Sequence, residues 1–522
     1  MVNLIRHIIA STVLIIALMM QTGLSFAGQA DDRLVAAFQR GILSLDYVYT
    51  VKREYVILSE LIDDGLFYTD PETLKTVPLA AKSYQMASET QIDVDLHQDI
   101  QFHDGSPFGA DDVVYTFNWL LKKDTKTKRG RLIARWLDRV EKTGPYSVSF
   151  HLKFAYPLAL QQLSRSAPLR KKGAYDDVPP GKTPAGHSHN GIGPYKVTGF
   201  VPGKETVLER FENYYSTSPK ARPAIGTIVI RTIPDWSTQQ AELFSGGVNW
   251  MFSVPTDIAV NAGTLPMVNF IAGPSMRIGF LVLDAAGLAK PGGPLTKLKV
   301  RQALNHAINR EEIVKYLVKG KSSVIHAACH PLQFGCTRDV KSYSYDPARA
   351  RKLLAEAGYP DGIDLDFWAY REKEVAEAIA ADLEKANIHV NFRYVKLSTL
   401  NKARSQRRIE SYFGSWASGS VADVAAIAAR HFSPTSDRDL TGNRDVSNLM
   451  AAAEKIRDED KRRTLYEEAL GIIAEQAYWV PLYAFTLNYL TSPDIVFTPP
   501  RDGFPRLHKI RWRQTSASLL SR

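Results

Sequence analysis

The sequence predicts an α/β protein of at least two lobes, and three observations carry that prediction. The chain has 522 residues, well beyond the roughly 250 to 300 at which one hydrophobic core stops growing. Apolar extended segments alternate with amphipathic helical ones. This is plainest where Asp364–Ala369 reads as a strand, Lys373–Ala386 as a helix and Ile388–Val395 as a second strand. Hydrophobic residues make up 45% of the chain, an ordinary globular share. No segment after the N-terminal stretch approaches the roughly 20 apolar residues that span a bilayer.

The N-terminal stretch has its own logic. Arg6 precedes an apolar run from Ile8 to Met20, and Ser25-Phe26-Ala27 has the small-x-small form of a signal-peptidase site, so residues 1–27 are expected to be an export signal and Gly28 the first mature residue. No cysteine follows the run to take a lipid, so a freely soluble periplasmic protein is expected. The formal charge of +10 falls to +9 when Arg6 leaves with the signal. That surplus favours anionic ligands. The basic residues are dispersed and no helix-turn-helix or zinc-finger pattern accompanies them, so nucleic acid is not an expected partner.

Along the mature chain, Leu34–Phe38 reads as the first strand and Glu54–Phe67 as a helix running into a turn at Thr69–Thr73. Ile92–Leu96 and Gln101–Phe102 read as a hairpin-like pair. Asp104-Gly105 supplies a tight turn, after which Asp111 or Asp112 caps a helix whose apolar positions are Val113, Val114, Phe117, Leu120 and Leu121. Glycines in Asn190–Val197 and at Gly203 suit turns between strands. Apolar residues at 300, 303, 304, 307 and 308 form one helix face, on which His306 reads as a packing or capping residue. Asp346, Pro347 and Gly358 start and stop the next helix. A closing helix, Lys461–Ala477, leads into Trp479–Tyr483.

Cys329 and Cys336 are the two cysteines of the chain. In an oxidising compartment they are expected to pair and close the loop between them. The competing arrangement adds His326 and His330 to make a two-Cys, two-His metal site, and His187 with His189 forms a further candidate chelate.

The run Ile100-Gln101-Phe102-His103-Asp104-Gly105-Ser106-Pro107-Phe108, continuing to Phe117, resembles the family 5 extracellular solute-binding proteins. So do Asn190–Tyr215, Val300–Ile313 and Tyr345–Pro360, in the same order. The resemblance is to the dipeptide, oligopeptide and nickel-binding type that serves ABC importers. It implies the type II periplasmic binding protein fold in its large, three-subdomain form with a two-strand hinge. One lobe would comprise residues 28–276 and 484–522, the other 277–483, with Arg277–Leu283 and Val480–Leu487 as the crossing strands. It further implies a monomer that uses no cofactor, captures a peptide or peptide-like solute and meets membrane permeases with their cytoplasmic ATPases. Nickel chelates, heme, opines and small glycosides are the other solutes such a protein takes.

Candidate ligand contacts follow from the same resemblance: Asp46 and Tyr47 after the first strand, Tyr370 and Arg371 after a strand of the second lobe, and Trp416. Arg371 suits a carboxylate, which its planar fork binds through two parallel hydrogen bonds. Peptide binders of this family tend to place an Asp three residues after the Trp, to pair with the peptide ammonium. Here that position is Gly419, and the nearest downstream acid, Asp423, is the substitute candidate. Many relatives carry an Asn near the end of the strand that here reads Gly279–Asp284, and that polar contact is expected to be missing. Lys126, Lys128, Arg129, Arg131 and Arg135 read as an exposed helix face. Catalysis is not expected: the chain has no Gly-x-Ser-x-Gly elbow, phosphate-binding loop or His-Glu-x-x-His helix, and Asp63-Asp64 and Asp176-Asp177 lie in turn-like contexts.

Overall fold

The computed structural model describes residues 28–514 except 126, 180, 181, 183–185, 187, 188, 419 and 420. The expected export signal, Lys126, His187 and Gly419 therefore lie outside the described residues.

Eleven described strands form one sheet that runs through the whole molecule. From one edge the order is Ile388–Tyr394, Ile363–Ala369, Ser411–Trp416, Asn269–Leu283, Trp479–Thr491, Trp250–Phe252, Arg33–Phe38, Thr227–Thr232, Glu205–Arg210 and Tyr195–Val201, with Ser323–Val324 alongside Trp479–Thr491. Asn269–Leu283 and Trp479–Thr491 are the long members. They pair with each other along their length, and the register shifts between Pro274 and Ile278. On one side of that irregularity they meet Trp250–Phe252, on the other Ser411–Trp416.

Both halves of the sheet are covered on both faces, as alternate residues show. Leu34, Ala36 and Phe38 join one core cluster, while Val35 and Ala37 join another on the opposite face. In the other half, Leu281, Leu365 and Phe413 pack on one side and Phe280, Tyr412 and Trp479 on the other. A separate antiparallel sheet, in the order Ala81–Ser88, Gln91–Leu96, Ser147–Leu152, Leu137–Gly144, carries the helix Ala110–Leu121. It reaches across to the far half, where Arg457 donates to the carbonyls of Ser88 and Glu89 at 3.1 and 2.7 Å and Arg135 pairs with Glu454.

Several local expectations need correction. The helix after the first strand is Arg53–Ile62, not Glu54–Phe67, and Phe67 opens a short strand. Gly65, between the helix and that strand, leaves no room for a side chain, because a Cβ there would lie 2.7 Å from the Leu163 carbonyl oxygen. Gln91–Leu96 pairs with Ala81–Ser88 and Ser147–Leu152, while Gln101 makes only an isolated bridge to Pro107. Ala81–Ser88 hides from pattern reading because it is exposed beyond Ala81 and so shows no alternation. Gly109, not an aspartate, is the cap of Ala110–Leu121. Asp112 sits three residues inside and accepts the Gly109 N–H at 2.9 Å. Asp346 and Pro347 start Pro347–Glu356 as expected.

Candidate functional site

Strands Arg33–Phe38 and Trp250–Phe252 are parallel, as are Ile363–Ala369 and Ser411–Trp416. The loops at the carboxyl ends of such strands are where open α/β sheets place ligands. A cavity of about 510 Å³ lies there. One wall is Arg53 with Ser253–Thr256, and the facing wall is Leu317, Val318, Ser322 and Glu372–Val375. Its floor is the pair of long strands, through Ser275, Arg277, Tyr483 and Phe485–Asn488.

Tyr370, Arg371 and Trp416 lie at the ends of the two parallel strands, beside the residues that line the cavity and not among them. Arg371 Nε donates to the Glu372 carboxylate at 2.6 and 2.7 Å, and its Nη1 donates to Ser415 Oγ at 2.5 Å. Burial opposes the Arg371 charge, but Glu372 and Tyr370 outweigh it and hold its pKa above the ordinary value. Glu372 itself is in the left-handed region at φ 38°, a conformation costly for a side-chain-bearing residue. The Trp416 indole N–H donates to the Ala426 carbonyl at 3.2 Å, with the Arg438 guanidinium 5.3 Å from the ring.

Asp46 and Tyr47 belong to the opposite half and are already engaged. Asp46 accepts the Val48 N–H at 3.1 Å and lies 3.5 Å from Arg170. Tyr47 is buried beneath the Arg129 guanidinium at 4.1 Å, so Arg129 is an interior residue and not part of an exposed face. Asp423 is also interior. Arg462 donates to its carboxylate at 2.6 Å and the Ala425 N–H at 2.9 Å. Burial raises its pKa, an effect Arg462 partly offsets. Asp284 accepts the N–H groups of Leu288 and Ala289, closing the turn after its strand.

Cys329 and Cys336 form a disulfide, so their sulfurs are not thiolate ligands. Burial pushes His330 down to about 4, which keeps it neutral. Among the described residues no group of three His, Cys, Asp or Glu side chains is arranged to hold a metal ion. His189 instead makes a 2.7 Å contact with Asp63. Reduction of the disulfide, which spans a sequence separation of 7, is expected to cost about 2–3 kcal/mol through the freed loop. Thermal melts with and without dithiothreitol test this, and equal midpoints would mean that the bridge contributes nothing.

Two residues at the cavity were not legible as site residues. Arg277 sits in a strand that is otherwise apolar from Ile278 to Leu283. Its Nε is buried without a partner, and its guanidinium lies 5.7 Å from the Phe485 ring. Burial, with the Arg371 and Arg53 guanidinium groups, pushes it down to about 10. Arg53 opens the helix Arg53–Ile62, and burial lowers its pKa too. A signal did exist for each. A lone cation in an apolar strand and a cation at a helix N-terminus, where the dipole disfavours it, are both unfavourable unless something else is gained.

Among known proteins, the chain is 25% identical over 502 residues to the glutathione-binding protein GsiB of Salmonella paratyphi A, covering 91% of this chain and 90% of that one. It is 26% identical over 509 residues to the oligopeptide-binding protein AppA of Bacillus subtilis, covering 91% and 90%. The crystal structure of the ABC transporter substrate binding protein CtaP from Listeria monocytogenes superposes with a TM-score of 0.81 at 20% identity, covering 94% of this chain and all of that one. These likenesses agree with the type II binding-protein fold expected from the sequence. Residues 75–438 match the family model for bacterial extracellular solute-binding proteins, family 5. With that match spanning most of the chain and a cavity walled by both halves of one sheet, the protein belongs to the family 5 bacterial extracellular solute-binding proteins.

Proposed function

We propose that this chain is the periplasmic substrate-binding subunit of an ABC importer for peptides or peptide-like solutes, exported by residues 1–27 and carrying out no covalent chemistry. The observation that carries the reading is the cavity whose walls come from opposite halves of the sheet and whose floor is the pair of long strands. A solute held there touches both halves at once, so its binding energy favours the closed arrangement over an open one. The lobes are taken as residues 28–276 with 484–522, and 277–483. The register shift between Pro274 and Ile278 supports a boundary at that point. The glutathione-binding and oligopeptide-binding relatives point to peptides as the solute class. The partners are two membrane permeases and two cytoplasmic ATPases, which a monomer in the closed state would meet.

Native mass spectrometry of protein purified from periplasm without refolding tests the solute class. Peptide-sized adducts are expected, and a single non-peptide mass would overturn it. Arg371→Ala and Trp416→Ala are each expected to weaken binding of the recovered solute about tenfold or more, with unchanged circular dichroism. Equal affinity in both variants would remove these residues from the site.

A further inference from the structure

We propose that the cavity is an anion site built on Arg53 and Arg277, and that it selects solutes carrying two or more carboxylates. This rests on the importer reading and names the chemistry of its ligand.

The cavity carries an excess of positive charge. Among the described residues, neither Arg53 nor Arg277 makes a side-chain hydrogen bond or an ion pair, although both line the cavity and the Arg277 Nε is buried. Arg371 stands 5.9 Å from the Phe485 ring that Arg277 also approaches, so its charge adds to theirs. The acids of the cavity wall are Glu372 and Glu374. Glu372 is already held by Arg371 at 2.6 Å. Glu374 is exposed, and Lys373 between them is paired to Glu377 at 3.2 Å.

Glu374 is screened by water, so three guanidinium groups face one engaged carboxylate, and Arg53 and Arg277 are left without a direct anionic partner; a cation partly removed from water needs an anion close by. The first turns of two helices add to the same potential. Arg53–Ile62 and Lys373–Glu384 both begin at the cavity wall, where their free N–H groups favour negative charge. One carboxylate would leave a cation over, and two neutralise the site. Arg53 stands on the wall of one half and Arg277 on the floor, so a solute with two separated acid groups ties the wall to the crossing strands. A guanidinium offers a carboxylate two parallel donors, the geometry that prefers carboxylate to a neutral amide.

The test uses the full-length protein stripped of co-purifying solute, titrated calorimetrically with the dipeptides Glu-Glu, Ala-Ala and Lys-Lys, while the released solute is identified by mass spectrometry. Glu-Glu is expected to bind at least about tenfold tighter than Ala-Ala, and the released solute to carry at least two acid groups. Arg53→Gln and Arg277→Gln are each expected to weaken Glu-Glu about 10- to 100-fold and to melt no lower than the parent, because each removes an unpaired cation. Equal binding of Ala-Ala or Lys-Lys, a released solute with fewer than two acid groups, or variants that keep the Glu-Glu affinity would overturn the anion site while leaving the importer reading intact. Protein that releases no solute and binds none of the three would overturn both.

Discussion

Replacing Arg170 with leucine is expected to lower stability by about 3–5 kcal/mol at neutral pH, because it strands a buried carboxylate. Arg170 and Asp63 are both buried, and the guanidinium is bidentate on Asp63 while its Nε donates to the Tyr175 hydroxyl at 3.1 Å. Asp63 also accepts from Ser59 at 2.9 Å and contacts His189 at 2.7 Å. Burial would raise the Asp63 pKa, but Arg170 and then His189 overcome it and hold the carboxyl well below the usual carboxylate range. The sign follows from that depression. The parent keeps this contribution above the ordinary Asp value of about 3.9 and loses it as pH falls below it. In the leucine variant burial is opposed only by the remaining His189 and Ser59 contacts, so the Asp63 pKa rises and protonation relieves part of the penalty. The deficit should therefore be largest near pH 7 and shrink towards pH 4. Urea unfolding at both pH values, followed by circular dichroism, checks this. A deficit that stays the same at both would mean that lost packing, and not a stranded charge, is what the variant suffers.

Trp479→Ala is expected to cost a similar amount, about 3–5 kcal/mol, by a different mechanism. The indole is 1% exposed and stacks on Phe280 with ring centroids 3.9 Å apart. Phe432 lies 5.0 Å away and the His431 ring meets it edge-on at 5.1 Å. Burial holds His431 neutral, so the cluster carries no charge to compensate. Trp479 also opens one of the two long strands, opposite Val282. Removing it leaves a void beside the strand pair that joins the halves, and backbone pairing prevents the neighbours from closing it. The loss should be independent of pH between 5 and 8, unlike the early decline of the Arg170 deficit. A measured loss under about 1 kcal/mol would show that the aromatic cluster repacks.

How far each level was legible depends on where its cause lies along the chain. The helix Pro347–Glu356 is written locally, since Asp346 accepts the Arg349 N–H at 2.8 Å and Gly358 takes φ 89° just beyond the end. The strand Arg33–Phe38 is equally plain, because five consecutive apolar residues suit a strand buried on both faces. Asp63-Asp64 reads as a turn, yet the two carboxylates serve separate interior cations. Asp64 contacts Lys220 at 2.7 Å and accepts from the Tyr214 and Tyr215 hydroxyls, some 150 residues away. Asp423 reads as a free acid until Arg462 is seen to occupy it.

The sequence by itself determined the α/β alternation, the start and stop of Pro347–Glu356 and the resemblance to the family, because each depends on residues within a turn or a run of one another, whereas the disulfide between Cys329 and Cys336 was chosen over a metal site only by the structure. Only the tertiary structure decided which charges are spent and which are free. Asp46, Asp423 and Arg129 are drawn into the interior, while Arg53 and Arg277, from distant parts of the chain, are left facing one cavity. A charge's partner is set by distance in space, and the sheet sets that distance by joining strands that lie hundreds of residues apart.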